Sequence, residues 1–174
     1  MIGLLFPQFP DAKKWKQKGK AWFEEEIAYQ IYEDGTFLQF SMNYPRIVVQ
    51  LLTWAIVLSE KNNESFSSVV YDRAKKSVQF LRTCMIDENG YLPNYGANDG
   101  ALFFKLNETT YRDYRPSLDA LAKALKMELS ILKENEDAYW YDLNHETTNR
   151  WVPSAGIHSF SVGGYYGLKE NKSL

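Results

Sequence analysis

Four stretches of this 174-residue chain gather side chains that can hold a charge or move a proton. The first, Asp34-Gly35-Thr36-Phe37-Leu38-Gln39-Phe40-Ser41-Met42-Asn43-Tyr44, sets an amide and a phenol just ahead of Pro45. Proline suits the first turn of a helix, and the free N–H groups there favour negative charge. The plainer reading of the same residues is a turn at Asp34-Gly35 and a packed tyrosine at a helix boundary. The second stretch, Leu92-Pro93-Asn94-Tyr95-Gly96-Ala97-Asn98-Asp99-Gly100-Ala101, combines two amides, a phenol and a carboxylate, an inventory suited to reading hydroxyl groups. Asn and Asp also bond their own backbone, so a set of Asx turns explains it equally well. The third, Tyr111-Arg112-Asp113-Tyr114-Arg115-Pro116, sets two arginines beside aromatics. A guanidinium fork holds a sugar carboxylate through two parallel bonds, or clamps a helix start in an ion pair. The fourth is the pair His145 and His158, which lack triad-like neighbours and read as structural or surface residues. No Gly-x-Ser-x-Gly, phosphate loop or dinucleotide fingerprint occurs.

Helices must position these stretches. Asp11 can cap a helix from Ala12 whose apolar residues Trp15, Trp22, Ile27 and Ile31 recur at helical spacing. That helix stops at Glu33-Asp34-Gly35. A second runs from Pro45 to about Glu60 and a third from about Phe66 to Met85, stopping at Asp87-Glu88-Asn89-Gly90. The stop is the same both times: acidic residues, a glycine, an aromatic, then an irregular segment. Repeated hairpins with loops at one end describe a helical array or toroid with function on one rim. Asn94 to Asp113 reads as loop, and a fourth helix opens at Pro116 and reaches about Leu132. Ile157 to Leu168 alternates apolar with small residues around Gly163-Gly164 and reads as two strands meeting at a turn.

Composition narrows the function classes. The chain has 20 Lys+Arg against 22 Asp+Glu, a net charge of −2, so no global field recruits nucleic acid or an anionic membrane. Its length and 45% hydrophobic content suit one ordinary domain rather than a disordered or disulfide-built one. The lone Cys84 reads as a core thiol, and no Cys/His cluster has zinc-ligand spacing. No signal peptide is visible, and the apolar run from Ile47 to Leu58 is too short to span a bilayer. The aromatic content stands out: 12 Tyr, 10 Phe and 5 Trp. Trp15, Trp22 and Trp54 are expected to face a core. Tyr44, Tyr91, Tyr95, Tyr111 and Tyr114 are expected at loop ends, where a sugar chain can stack.

The order Phe6-Pro7, Trp15, Gly19, Glu25-Glu26-Ile27, Gln30-Ile31, Asp34-Gly35, Ser41, Tyr44 resembles the helical domain of the heparinase II/III-like polysaccharide lyases. So does Gly90-Tyr91-Leu92-Pro93 followed by Asn98-Asp99, while Phe160 with Gly163-Gly164-Tyr165-Tyr166 is similar to the strand opening that family's β-sandwich. The resemblance implies a mainly α fold: an incomplete α/α toroid over residues 1–152, then a short β segment, 153–174, as the start of a truncated β-sandwich. It implies β-elimination on a uronate-containing polysaccharide, without cofactor or metal. Such chemistry neutralises the sugar carboxylate, removes the proton at C5 and protonates the departing O4.

Tyr44 matches the family's serine-to-tyrosine spacing and takes the acid/base role. Asn94, Tyr95, Asn98, Asp99 and Arg115 are the expected groove contacts. The chain departs from the pattern at Gln39, where the family usually has Glu, and at Pro45, where His often follows the tyrosine. The family's carboxylate-facing Asn and sheet-domain His are expected outside this chain, which therefore reads as a fragment with self-associating helix faces. Three alternatives stay open: a carbohydrate-binding module without catalysis, a glycoside hydrolase using two of Asp34, Asp87 and Asp99, and a plain helical scaffold. The compartment is not legible.

Overall fold

The computed structural model describes residues 1–143, 147 and 149–170; His145 lies outside them. Among the described residues there are six helices: α1 (Ile2–Leu5), α2 (Ala12–Gln30), α3 (Pro45–Lys61), α4 (Ser68–Cys84), α5 (Arg115–Ala124) and α6 (Glu136–Trp140). The described residues after α5 also hold four short strands: β1 (Met127–Glu128), β2 (Asn149–Arg150), β3 (Gly156–Phe160) and β4 (Tyr165–Lys169). The chain is mainly helical with a short sheet segment near its C-terminal end.

Pro45 opens α3 at a position that needs no N–H, and the helix buries Val49, Leu52 and Ile56 completely. Helix α4 buries Val70, Ala74, Val78 and Leu81 on one face and leaves Val69 exposed. The amphipathic α5 lies at the centre, packed on α3, α4 and α6, while α2 packs on α4. Leu118, Leu121 and Ala122 are fully buried there.

Both expected helix stops are built on glycines in the left-handed region, Gly35 at φ 88° and Gly90 at φ 72°. Each returns the chain through an antiparallel bridge, Ile31 to Phe37 and Tyr91 to Asp113. The carboxylates of the two stops then reach the same β-hairpin. Asp34 accepts bonds from the amides of Val162 (2.8 Å) and Gly163 (3.1 Å), and Asp87 from Lys169 (3.4 Å). A Cβ on Gly163 would lie 2.2 Å from Thr36 Oγ1, so only glycine allows the hairpin to sit this close. Phe160 and Tyr165 complete the seam by packing on Phe80, with ring centroids 4.8 and 5.2 Å away.

Three expectations are corrected. Helix α5 ends at Ala124 rather than near Leu132, because Lys126 takes a left-handed conformation (φ 59°) and Met127–Glu128 pair with Asn149–Arg150. Trp15 and Trp22 face solvent, 42% and 56% exposed: α2 turns Ile27 and Phe23, not its tryptophans, toward the core. Asp11 holds the N-cap position of α2 without a side-chain bond to it. Helix α6 was not visible in the pattern. Asn135 caps it, accepting from the amides of Asp137 and Ala138.

Candidate functional site

Three of the four chemistry-bearing stretches meet in one place. The loop before α3 and the 92–101 loop are tied by Met42 N donating to Tyr95 O (2.9 Å), Ser41 Oγ to Ala97 O (3.0 Å) and Asn43 Nδ2 to Asn94 Oδ1 (3.2 Å). The third stretch joins through Tyr114. Its hydroxyl lies 2.6 Å from the carbonyl of Met42 and 2.9 Å from that of Asn43. These ties fix the backbone on which Tyr44 stands.

Tyr44 is half-buried, and its phenol donates to Asp99 Oδ2 at 3.2 Å. That bond and the charge of Asp99 hold the phenol above its ordinary value of 10.0. Asp99 also accepts the Ala101 amide, while Asn98 accepts from the Gly100 amide and from the Tyr111 hydroxyl at 3.2 Å. Asn98 and Asp99 therefore do close Asx turns, and they present their second acceptor positions to two tyrosines. Asn94, Tyr95, Asn98 and Asp99 are all exposed. Tyr114, expected at a loop end, is instead buried, which pushes its phenol up to about 12.

Arg115 meets Asp113 in a bidentate pair, Nη2 to Oδ2 at 2.6 Å and Nε to Oδ1 at 2.9 Å. This is the clamp at a helix start that the sequence allowed. Arg112 lies over the ring of Tyr91 at 4.7 Å and donates to the carbonyl of Leu92.

The arginine that sequence reasoning missed is Arg46, only 3% exposed. Its guanidinium lies 4.7 Å from the ring centre of Tyr111 and 3.9 Å from that of Tyr114. Two tyrosine faces thus carry a desolvated cation, and burial pulls its pKa below the ordinary value. A charge inside an apolar run signals something in retrospect: Arg46 and Gln50 are the polar residues of the first turns of α3, four apart on one face.

His158 sits on β3 and bonds the carbonyl of Ser154 at 2.8 Å. It lines a groove of about 580 Å³ between the hairpin and the helical body, shared with Phe40, Tyr95 and Lys169. Cys84 is packed, and burial pushes its thiol up to about 11, which makes it a poor nucleophile. Asp34 and Asp87 are held by the hairpin seam, whereas Asp99 bonds Tyr44. Burial alone would raise Asp34, but bonds from Thr36, Gly163 and Val162 outweigh it and hold the carboxyl low. Among the described residues no cluster of His, Cys, Asp and Glu has the makings of a metal site, and no helix is long and apolar enough to cross a membrane.

A family model described as heparinase II/III N-terminus matches residues 1–124. No curated protein and no solved structure matches the chain.

Proposed function

The chain belongs to the heparinase II/III-like family, and we propose that it is a polysaccharide lyase component acting on uronate-containing chains by β-elimination, with Tyr44 as the general acid. One observation carries this reading: the Tyr44 phenol is exposed at the meeting point of three loops and donates to Asp99. A raised pKa keeps the phenol protonated at neutral pH, the state needed to hand a proton to the departing O4. It argues against Tyr44 as the base, since that role needs a depressed phenol. Asn94, Tyr95, Asn98 and Asp99 are the exposed groups of the same loops and supply groove contacts. Arg115 stands near the rim with its fork occupied and its charge neutralised by Asp113, which leaves it the outer edge of that groove. Helices α2 to α5 are read as part of an incomplete α/α toroid ending near residue 152, with 153–174 beginning a sheet domain.

The deciding experiment incubates the chain with uronate oligosaccharides and follows tryptophan fluorescence beside the ultraviolet absorbance of the unsaturated product. Absorbance that disappears in Tyr44→Phe supports the lyase. Fluorescence change without absorbance would sink it in favour of a binding module, and product lacking the double bond would point to hydrolysis.

A second copy is the proposed partner of the α2 face. Trp15, Trp22 and Tyr29 are exposed at seven-residue spacing. An antiparallel pairing centred on Trp22 sets Lys18 of each copy opposite Glu26 of the other, both one turn from Trp22 on the same face. Light scattering should show a dimer that Trp22→Glu dissociates; a monomer at all concentrations would exclude it.

A further inference from the structure

Arg46 presents an imbalance that the lyase reading does not use. Its Nη1 donates to the carbonyl of Asp113 (3.3 Å), but Nε and Nη2 have no hydrogen-bond partner among the described residues. These two donors lie along one edge of the guanidinium, the edge that matches both oxygens of a carboxylate. Buried donors left unpaired cost free energy, so an acceptor that reaches them is favoured.

The surroundings select its charge. Arg46 lines a cavity of about 150 Å³, roomy enough for a planar acid group and the carbon that carries it. Lys105, 3.4 Å from Glu108, supplies a second cation, and the polar groups of Asn107, Thr109, Thr110 and Tyr111 line the wall, bonded to one another or to neighbouring residues. Among the described residues no Asp or Glu lines it. Of the buried carboxylates nearby, Asp137 has both oxygens engaged by Asn107 and Ser117, and Asp113 is paired with Arg115. The cavity lies at the first turns of α3 and α5, where the helix dipoles favour negative charge. Tyr111 forms the wall between the cavity and the Tyr44 cluster, stacking on Arg46 with its ring and bonding Asn98 with its hydroxyl.

We infer that this cavity is an acid-group subsite: Arg46 takes the carboxylate of a uronate residue side-on, with Lys105 at the mouth. Both free donors are closed off from solvent, so the incoming group shifts the exposed Thr109–Thr110 loop to reach them. The cavity and its charge stand independently, while the naming of the acid group as a uronate's rests on the lyase reading.

Calorimetric titration of the whole chain with glucuronate, glucose and sodium sulfate tests it. Glucuronate should bind, glucose should bind at least about tenfold more weakly, and sulfate should compete as a second oxyanion. Leu102→Trp, which fills the mouth from an exposed position, and Lys105→Glu should each weaken glucuronate about tenfold while the unfolding midpoint holds. Arg46→Lys keeps the charge and removes the fork; if it does not fold, the two mouth variants decide. Equal binding of glucose and glucuronate, sulfate binding without glucuronate binding, or mouth variants with unchanged affinity would each overturn the subsite. Absence of unsaturated product would instead sink the lyase and leave this titration standing.

Discussion

Helices α3 and α5 begin with nearly the same residues, and the two starts end in opposite environments. Tyr44-Pro45-Arg46 opens one and Tyr114-Arg115-Pro116 the other, with the proline and arginine exchanged. At α3 the tyrosine is the accessible group, donating to an exposed carboxylate, while the arginine is buried with two donors unpartnered. At α5 the tyrosine is buried and bonds backbone carbonyls, while the arginine lies near the rim and is neutralised by Asp113. One step along a helix turns a side chain by about 100°. Exchanging proline and arginine therefore swings the guanidinium from a half-exposed rim to a closed cavity. Chemistry gathers at the α3 start, and the α5 start holds it in place.

The largest test of this contrast is the pair of Phe substitutions. Tyr44→Phe should lower lyase turnover by about 10²–10⁴-fold with an unfolding midpoint near that of the parent, because its bond is at the surface. Tyr114→Phe should do the reverse, costing about 1–3 kcal/mol in urea denaturation through the carbonyls it leaves unmatched. Equal stability losses in both would erase the distinction.

Arginine truncation comes next. Arg46→Ala should cost about 2–4 kcal/mol, from two desolvated cation–π contacts and the packing of its stem. Arg115→Ala should cost about 1 kcal/mol, the scale of a partly exposed ion pair. Denaturant midpoints of the two variants check the order, and a larger loss for Arg115 would contradict it.

The smallest effect is the pH dependence. Tyr114 has a folded pKa of about 12 against an ordinary 10.0, so the neutral phenol's contribution to stability is complete below pH 10. It is lost as pH rises through about 12, and thermal melts across that range should show the decline. Tyr44, also raised, should place the alkaline limb of the pH–rate profile above 10.0; a rate climbing between pH 7 and 9 would mark a phenolate base instead.

Much of the architecture was legible because it rests on local rules. Pro45 and Pro116 mark helix starts, Gly35 and Gly90 mark stops, and the apolar spacing of α4 marks its buried face. Residues 157–168 carried their hairpin in a Gly-Gly turn between alternating segments. The errors fall where non-local packing decides. Periodicity made Trp15 and Trp22 look internal, but it cannot say which of two apolar stripes meets the core. The extension of α5 toward Leu132 failed because a left-handed Lys126 and a partner strand over twenty residues away end it.

Local chemistry settled that this chain is helical, that its loops carry amides, phenols and acids, and that it has the family's residue order. These follow from backbone preference and neighbour spacing, which operate over a few residues. Tertiary packing alone decided which of those groups act together. Asp99 comes to Tyr44 across 55 positions, Tyr114 to Met42 across 72, and Arg46 to the ring of Tyr111 across a loop with no period of its own. Whether a given carboxylate is a turn, a seam or a partner for a phenol depends on desolvation and on distances of a few ångströms, which only the folded chain sets.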